Sequence, residues 1–391
     1  MKRITELESR YVQEVLESQF STSSNGIMTS RLEQRFADIF QSKYAISFIN
    51  GTATMHTILA AAGVGAGDEV IVPPLTMAST ALAVLHANAT PVFADIDPDT
   101  WNIDPESILN RITPNTKVII PVAIYGLPPD MDPIMKIAKQ YDLFVLEDDA
   151  QCFLGYYKDQ IMGSIGHASS FSFQSSKHIT SGEGGVVTTN DEELALKIRR
   201  INSLGYGAVE GGIGKGKISR TDIQDPKYLR HVSTGWNYRM PDLCAAVALG
   251  QLERLSEFVD IRIKVANLYR QAIEGCNWLV PQRQPKDCIH SCWSYVLKLQ
   301  NSDLSWYDFR DTYLQNSGDG IYAAWQLTYL EPAFINTKFH PNQRQKFAKG
   351  LCPVAEKIQP KLLQLKTNYY DLDTAEQKAE ALSKTIDFFG R

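Results

Sequence analysis

Residues 118–149 read VIIPVAIYGLPPDMDPIMKIAKQYDLFVLEDD: an apolar run, a helical stretch over DPIMKIAKQY, and a second apolar run that ends in three acids. Short apolar runs separated by amphipathic helical patterns are the signature of parallel strands joined by crossover helices. The same alternation extends in both directions. Upstream lie YAISFI (44–49), EVIVPP (69–74) and TPVFADI (90–96), with the helical MHTILAAAGV (55–64) between the first two. Downstream lie SSFSF (169–173) and GGVVTT (184–189). The expected fold class is therefore α/β with a mostly parallel sheet, and ligands of such sheets sit at the carboxyl ends of the strands.

The helical pattern CAAVALGQLERLSEFVDIRIKVANLYRQAI (244–273) follows, and beyond it the pattern turns to mixed strands and helices. This predicts a large domain over residues 1–255 and a smaller C-terminal α+β domain over residues 256–391. Between the two, residues 205–235 are rich in glycine and charge and read as a long loop, a length that is often functional.

Bulk properties exclude several classes. The 391 residues are 44% hydrophobic and 21% charged with a formal net charge of −5, which argues against a nucleic-acid or membrane-surface binder. The polar start, MKRITELESRYVQEVLES, lacks the apolar core of an export signal. No apolar run approaches the roughly 20 residues that span a bilayer. The six cysteines are expected as free thiols in a reducing compartment, and the chain as cytoplasmic.

Three local patterns resemble sites without meeting their chemistry. Cys288, His290 and Cys292 are close in sequence, but the alternation in CWSYVLKL reads as a strand, and no metal is expected. GGIGKGK (211–217) resembles a phosphate loop, yet Ile218 stands where a magnesium-binding hydroxyl is required. Gly63, Gly65 and Gly67 precede a strand instead of following one, so they read as a turn.

Four segments concentrate chemistry at the predicted strand ends. Asn50-Gly51-Thr52-Ala53-Thr54 follows a strand and opens a helix, where free N–H groups and the helix dipole suit a phosphate; an ordinary cap is the plain alternative. Glu147-Asp148-Asp149-Ala150-Gln151 ends a strand, where an acid can face a protonated ring nitrogen or form a solvated turn. Lys177 lies in FSFQSSKHITSGEGG (171–185), after one apolar strand and before another. A lysine is usually a surface residue, but one buried there has a depressed pKa and is a competent Schiff-base former and proton carrier. Gly235-Trp236-Asn237-Tyr238-Arg239-Met240 precedes an Ala-rich helix and reads as a capped loop with polar groups able to contact anions.

Taken together, with PVFADIDPDTWNIDPESI (91–108) and WNYRMPDLCAAVALGQLERL (236–255), these segments resemble the DegT/DnrJ/EryC1/StrS family of sugar aminotransferases, most strongly from about residue 30 to 265. The resemblance implies a fold-type I enzyme dependent on pyridoxal 5'-phosphate (PLP), working as a homodimer with shared active sites. It implies that Lys177 bonds the cofactor, Asp148 pairs with the ring nitrogen and Gln151 lies beside the ring. Gly51, Thr52, Ala53 and Ser172 would hold the phosphate, and Asn237 would reach the phosphate in the partner subunit. Two departures bear on the ring: Met77 stands where the family often has a stacking aromatic, and Phe153 where it often has histidine. A dehydratase branch carries histidine at the lysine position and often an iron–sulfur centre; here the position is Lys177 and no cysteine cluster accompanies it. The expected reaction is thus amino transfer, from glutamate or glutamine to a keto sugar.

For the acceptor, the GEGG variant resembles aminotransferases acting on cyclitol ketones. The run GDGIYAAWQLTYLEP (318–332) resembles the enzyme that makes 8-amino-3,8-dideoxy-manno-octulosonate (8-amino-Kdo) for lipopolysaccharide. The order of expectation is an 8-keto octulosonate, then a nucleotide-linked keto sugar, then a cyclitol ketone. An acidic acceptor needs cations, which Lys215, Lys217, Arg220, Lys227, Arg230 and Arg239 could supply unless they form a solvated basic loop. A PLP-binding regulator without turnover is the alternative of a different class, with no DNA-binding domain read before residue 30.

Overall fold

The computed structural model describes residues 2–20, 26–209, 221, 224–301, 303–336, 338 and 345–391. The phosphate-loop-like stretch 211–217 and the cations Lys215, Lys217 and Arg220 lie outside the described residues. Fourteen strands are described: β1 Tyr44–Phe48, β2 Glu69–Val72, β3 Thr90–Phe93, β4 Thr116–Ile119, β5 Phe144–Asp148, β6 Tyr156–Tyr157, β7 Gln160–Ile161, β8 Ala168–Ser172 and β9 Gly185–Thr189, then β10 Leu279–Pro281, β11 Cys288–Ile289, β12 Ser294–Leu299, β13 Tyr322–Ala323 and β14 Leu362–Lys366.

Seven of them form the main sheet in the order β1-β9-β8-β5-β4-β2-β3. All pairs from β8 to β3 are parallel, and β9 runs antiparallel to both of its neighbours. The sequence reading of a mostly parallel sheet holds. β2, β3, β8 and β9 are buried at every residue, which is why their runs are continuously apolar or small instead of alternating.

The reversal at β9 decides where the chemistry goes. A parallel neighbour would need a long crossover; an antiparallel one lets β8 return directly, so residues 173–184 form the connecting loop at the carboxyl end of β8. Phe173 N–H donates to Gly184 O at 2.9 Å and Ser181 N–H to Phe173 O at 3.2 Å, tying the base of that loop. Gly185 has a packing reason: a Cβ there would lie 2.9 Å from Asn50 C and 2.8 Å from Phe171 O. The missing side chain brings β9 against the turn after β1.

The N-terminal helix Glu6–Glu17 starts with a capping box between Thr5 and Glu8 and packs on the helix Asp242–Leu252. Glu8 is buried there and is held by Gln251 Nε2 at 2.6 Å and by Arg254 Nη1 at 3.3 Å. The long helical pattern after residue 242 breaks at Glu253–Arg254, giving a second helix, Leu255–Ala272.

The C-terminal strands form an antiparallel sheet, β10-β12-β14-β13, covered by the helices Leu255–Ala272, Trp306–Gln315 and Leu372–Phe389. Packing is continuous with the main sheet. The apolar cluster around Val70 and Val118 runs on through Trp293, Tyr329, Phe347 and Ala355, and β11 pairs with β6. Residues from about 290 onward are thereby laid across the carboxyl ends of the parallel strands. No helix among the described residues is long and apolar enough to cross a membrane.

Candidate active site

A cavity of about 1040 Å³ opens between the strand ends and the C-terminal sheet, large enough for a cofactor-sized and a sugar-sized molecule together. Gly51, Thr52, Ala53, Met77, Asp148, Gln151, Ser172 and Lys177 all lie in its wall. Asn237 does not: it is exposed, in a bridge with Ser203 outside the cavity of its own chain.

One end of the cavity is built for a phosphate. Asn50 is extended (φ −166°), and its side-chain oxygen accepts from Ala53 N–H at 2.8 Å, capping the helix Gly51–Ala61. The N–H groups of Gly51 and Thr52 have no acceptor within the helix and face a region of positive helix dipole. Gly51 is required by space, since a Cβ there would lie 2.9 Å from the Cβ of Ser172. Ser172 Oγ accepts from Gln174 N–H at 3.3 Å, so its own proton is available to an anion.

At the other end Asp148 closes β5. Its Oδ2 accepts from Thr80 Oγ1 at 2.8 Å and its Oδ1 from Ala150 N–H at 3.3 Å. Burial raises its pKa, and the hydroxyl of Thr80 and the charge of Lys177 pull it back. Its two acidic neighbours have other fates. Glu147 accepts from the N–H groups of Gly163, Ile165 and Gly166 and from Ser169 Oγ, so it organises residues 163–169. Asp149 is buried with both carboxyl oxygens unpartnered. Burial first, then the adjoining carboxylates, push its pKa far up. The alternation of a strand separates Asp148 from the other two.

Lys177 projects into the cavity between these ends, with Nζ 4.9 Å from the centre of the Trp293 ring. It is half-buried because it opens on the cavity, yet its amine is densely surrounded. That burial lowers its pKa to about 8, against the raising effect of Asp148 and with a further lowering from Arg262. Its backbone is clamped. Arg262 Nη2 donates to Lys177 O at 3.0 Å and Ser176 O at 3.2 Å, while Arg262 Nη1 reaches Trp293 O at 2.7 Å. Trp293 Nε1 donates to Ser176 O at 2.9 Å, and the buried His178 Nε2 meets Ser291 O at 2.9 Å. Replacing Arg262 by lysine keeps a charge but not the fork that spans these acceptors. The expected result is a fall in kcat of about ten- to a hundredfold from a displaced Lys177, with KM for the donor nearly unchanged in steady-state assays.

Gln151 is fixed by Tyr125 N–H, which donates to its Oε1 at 2.7 Å from a residue with φ 60°. Met77 is 47% exposed at the rim, open to contact whatever occupies the cavity. Of the basic residues read as cations for an acceptor, Lys227 and Arg230 are exposed, and they and Arg239 are absent from the wall. The cation that does line it, Lys366, comes from β14 and pairs with Asp319 at 3.0 Å. Tyr322, Ala323 and Trp325 of the run read for the acceptor do line the cavity, whereas Trp293 and Lys366 escaped the sequence reading because they lie far from the other wall residues in the chain. Arg262 left a signal: it is the charged member of the apolar stripe Phe258, Val259, Val265, Ala266 and Tyr269. At the residues that resembled a metal clip, His290 is engaged with Gln282 Oε1 at 3.2 Å and Cys292 N–H at 2.9 Å.

Comparison with known proteins agrees with this geometry. Residues 2–380 match the DegT/DnrJ/EryC1/StrS aminotransferase family. The chain is 33% identical over 356 residues to a GDP-perosamine synthase of Escherichia coli, covering 91% of this chain and 88% of that one. It is 39% identical over 292 residues to the spore coat polysaccharide biosynthesis protein SpsC of Bacillus subtilis, covering 75% and 73%. The crystal structure of an aminotransferase from Psychrobacter cryohalolentis superposes with a TM-score of 0.85 at 31% identity, over 98% of each chain.

Proposed function

The chain belongs to the DegT/DnrJ/EryC1/StrS aminotransferase family, and on that premise we propose that its cavity transfers an amino group from glutamate or glutamine to a keto sugar bearing an anionic group. The cofactor is pyridoxal 5'-phosphate. When bound, it supplies the electron sink that makes the donor's α-proton removable. The observation that carries the reading is one cavity whose wall holds a helix start suited to a phosphate, a buried acid and a low-pKa lysine.

Each residue then has a task. Gly51, Thr52 and Ala53 offer the helix start to the phosphate, and Ser172 adds a hydroxyl donor. Asp148 would accept from a protonated ring nitrogen, a partner that offsets the burial of its charge. Gln151 and Met77 bound the ring. Lys177 Nζ would hold the cofactor covalently and, once the donor's amine has displaced it, would be the free base placed to take and return the donor's α-proton. Arg262 and Trp293 hold the Lys177 backbone so that this short proton path is kept.

The pKa of Lys177 gives a pH test. Only the neutral amine attacks an aldehyde, so capture of PLP by the apoprotein is expected to rise about tenfold per pH unit below pH 8 and level off above it. A surface-like lysine would climb on towards its ordinary value, near pH 10.5. Stopped-flow absorbance on mixing apoprotein with PLP separates the two curves.

Asn237, exposed outside its own cavity, is assigned to the cofactor phosphate of a partner subunit in a homodimer. Mixing inactive Lys177→Ala chains with inactive Asn237→Asp chains is then expected to restore about a quarter of wild-type activity, since half of the dimers are hybrids with one complete site. No recovery after subunit exchange refutes a shared site.

Two acceptors are supported by particular observations. Relatives named GDP-perosamine synthase favour a nucleotide-linked keto sugar. Tyr322, Ala323 and Trp325, from the run that resembles the octulosonate enzyme, line the cavity and favour an 8-keto octulosonate for lipopolysaccharide. Enzyme pre-loaded with amino groups from glutamate decides between them in single-turnover assays against each ketone. Turnover of neither sugar, with a cyclitol ketone accepted instead, overturns both.

A further inference from the structure

β14 supplies the cavity with a cation that the chemistry above leaves without a task. Among the described wall residues the strongly basic side chains are Lys177 and Lys366, and Lys177 is the one assigned to the cofactor. We infer that Lys366 is the specificity-determining contact for the anionic group of the acceptor, a carboxylate or a phosphate. This inference deepens the function proposed above and rests on it: it names the residue through which the site tells an anionic keto sugar from a neutral one.

The sheet register brings the contact together. Side chains alternate across a strand, so Gln364 and Lys366 leave β14 on one face. Residues directly opposite on neighbouring strands share a face as well. Ser294 of β12 pairs with Lys366, and Tyr322 of β13 pairs with Gln364. All four are wall residues of the cavity. Lys366 Nζ lies 5.9 Å from the centre of the Tyr322 ring. Trp325, three residues beyond Tyr322, is also in the wall and stacks on Trp293 at 5.8 Å between ring centres, and Trp293 is the ring against Lys177. The reacting amine and Lys366 therefore touch different rings of one wall. Aromatic plates with a few fixed polar groups are the usual lining of a small-molecule site. The polar groups here are the Lys366 ammonium and the amides of Gln364 and Asn368. The acids of the wall, Asp148 and Glu183, come from the end of β5 and the loop after β8, not from this face.

Asp319 fixes the ammonium without using it up. Its Oδ2 accepts from Lys366 Nζ at 3.0 Å and its Oδ1 from the Tyr369 hydroxyl at 2.5 Å, so both carboxylate oxygens are engaged. Asp319 is not itself a wall residue. An ammonium has three N–H donors; one goes to Asp319, and Lys366 makes no other hydrogen bond among the described residues. Holding the flexible stem in place beforehand lowers the entropy lost when a ligand engages the remaining donors. The pair also tempers the attraction, so the contact serves selection more than tight binding.

The test uses enzyme loaded with PLP and converted by glutamate, whose phosphate cradle is already filled. It is titrated calorimetrically with 3-deoxy-manno-octulosonate against its methyl ester, and with GDP against guanosine. One of the two anions is expected to bind at one site per chain, at least about tenfold tighter than its neutral counterpart, the scale of a hydrogen bond to a charged group. Binding of the octulosonate identifies a carboxylate, binding of GDP a diphosphate. Lys366→Met should shrink that ratio to within about threefold, and Lys366→Arg, which keeps the charge, should restore most of it. The ion pair is partly exposed, so Asp319 stays hydrated in the methionine variant. Binding of neither anion, equal binding of charged and neutral forms by wild type, or a ratio unchanged in Lys366→Met overturns the assignment. Absorbance during conversion by glutamate tests the aminotransferase reading separately. Failure there in wild type sinks the proposed function, whereas conversion with an unchanged ratio sinks the Lys366 contact alone.

Discussion

Lys177→Ala is expected to abolish amino transfer, lowering the single-turnover rate by about 10⁴-fold or more, while leaving a folded protein that still binds PLP without a covalent bond. Two losses combine at one atom: the amine that bonds the cofactor and the base that moves the donor's α-proton. Truncation opens no sealed void, because the side chain already faces a cavity. It also removes an amine whose charged form is penalised by burial. That penalty has a sign in pH. The folded state releases the Lys177 proton at about 8, below the ordinary value, so wild-type apoprotein gains stability from this group as pH rises from about 8 towards 10.5. The alanine variant should lack that rise in thermal melts. Borohydride reduction of loaded wild type should mark Lys177 in peptide mass spectra and mark nothing in the variant. Another amine in the wall is Lys366, but Asp319 holds it at 3.0 Å. Transfer within tenfold of wild type, or a label on Lys366, removes the foundation of the reading.

Asp148→Asn separates function from stability even more sharply. The carboxylate is expected to keep the cofactor ring protonated, and an amide cannot. The transfer rate should fall by about 10²- to 10³-fold, the scale of losing one fixed electrostatic partner in a closed site. Apoprotein stability should move the other way. Burial raises the Asp148 pKa above the unfolded value. The contribution of this group is therefore fully present below about pH 4 and is lost as pH rises through the folded value. Above the folded value the charged side chain burdens the empty fold, and the amide, which still accepts from Thr80, does not. The variant should melt at a higher temperature than wild type as apoprotein at pH 7, and the gap should close in acid. Loading with PLP should favour wild type. An apoprotein variant that melts lower at pH 7, with activity intact, contradicts both halves of the prediction.

Much of the main sheet was legible in the chain because burial on both faces leaves little choice of residue. The runs 44–49, 69–74, 90–96, 143–149 and 184–189 each contain a strand, 169–173 overlaps β8 in all but its last residue, and 118–124 overlaps β4 only at Val118 and Ile119. Their order in the sheet and the reversal of β9 were not legible, since a buried strand reads the same in either direction. The loop that presents Lys177 depends on that reversal. Residues 47–54 and 171–185 carried their local chemistry openly: a polar cap before small residues, and a lysine flanked by strands and glycines. Nothing local marks Trp293 or Lys366 as wall residues, because the segments beside β12 and β14 belong to a different, antiparallel sheet. The basic residues 227, 230 and 239 looked like the acceptor's counter-charges by proximity in sequence, yet they are absent from the wall, which Lys366 does line.

By itself, the sequence determined which segments become buried strands and which residue types stand at their ends, because hydrophobic period and helix capping act over a few residues at a time. It also set the chemical menu: one lysine after a strand, one run of acids, one helix start with glycine. Only the tertiary structure decided which acid faces inward, how Arg262 grips the Lys177 backbone, and that Lys366 joins the cavity wall. These depend on pleat direction, strand order and contacts between residues about 85 to 190 positions apart, where the free energy of packing, not local propensity, chooses the partner.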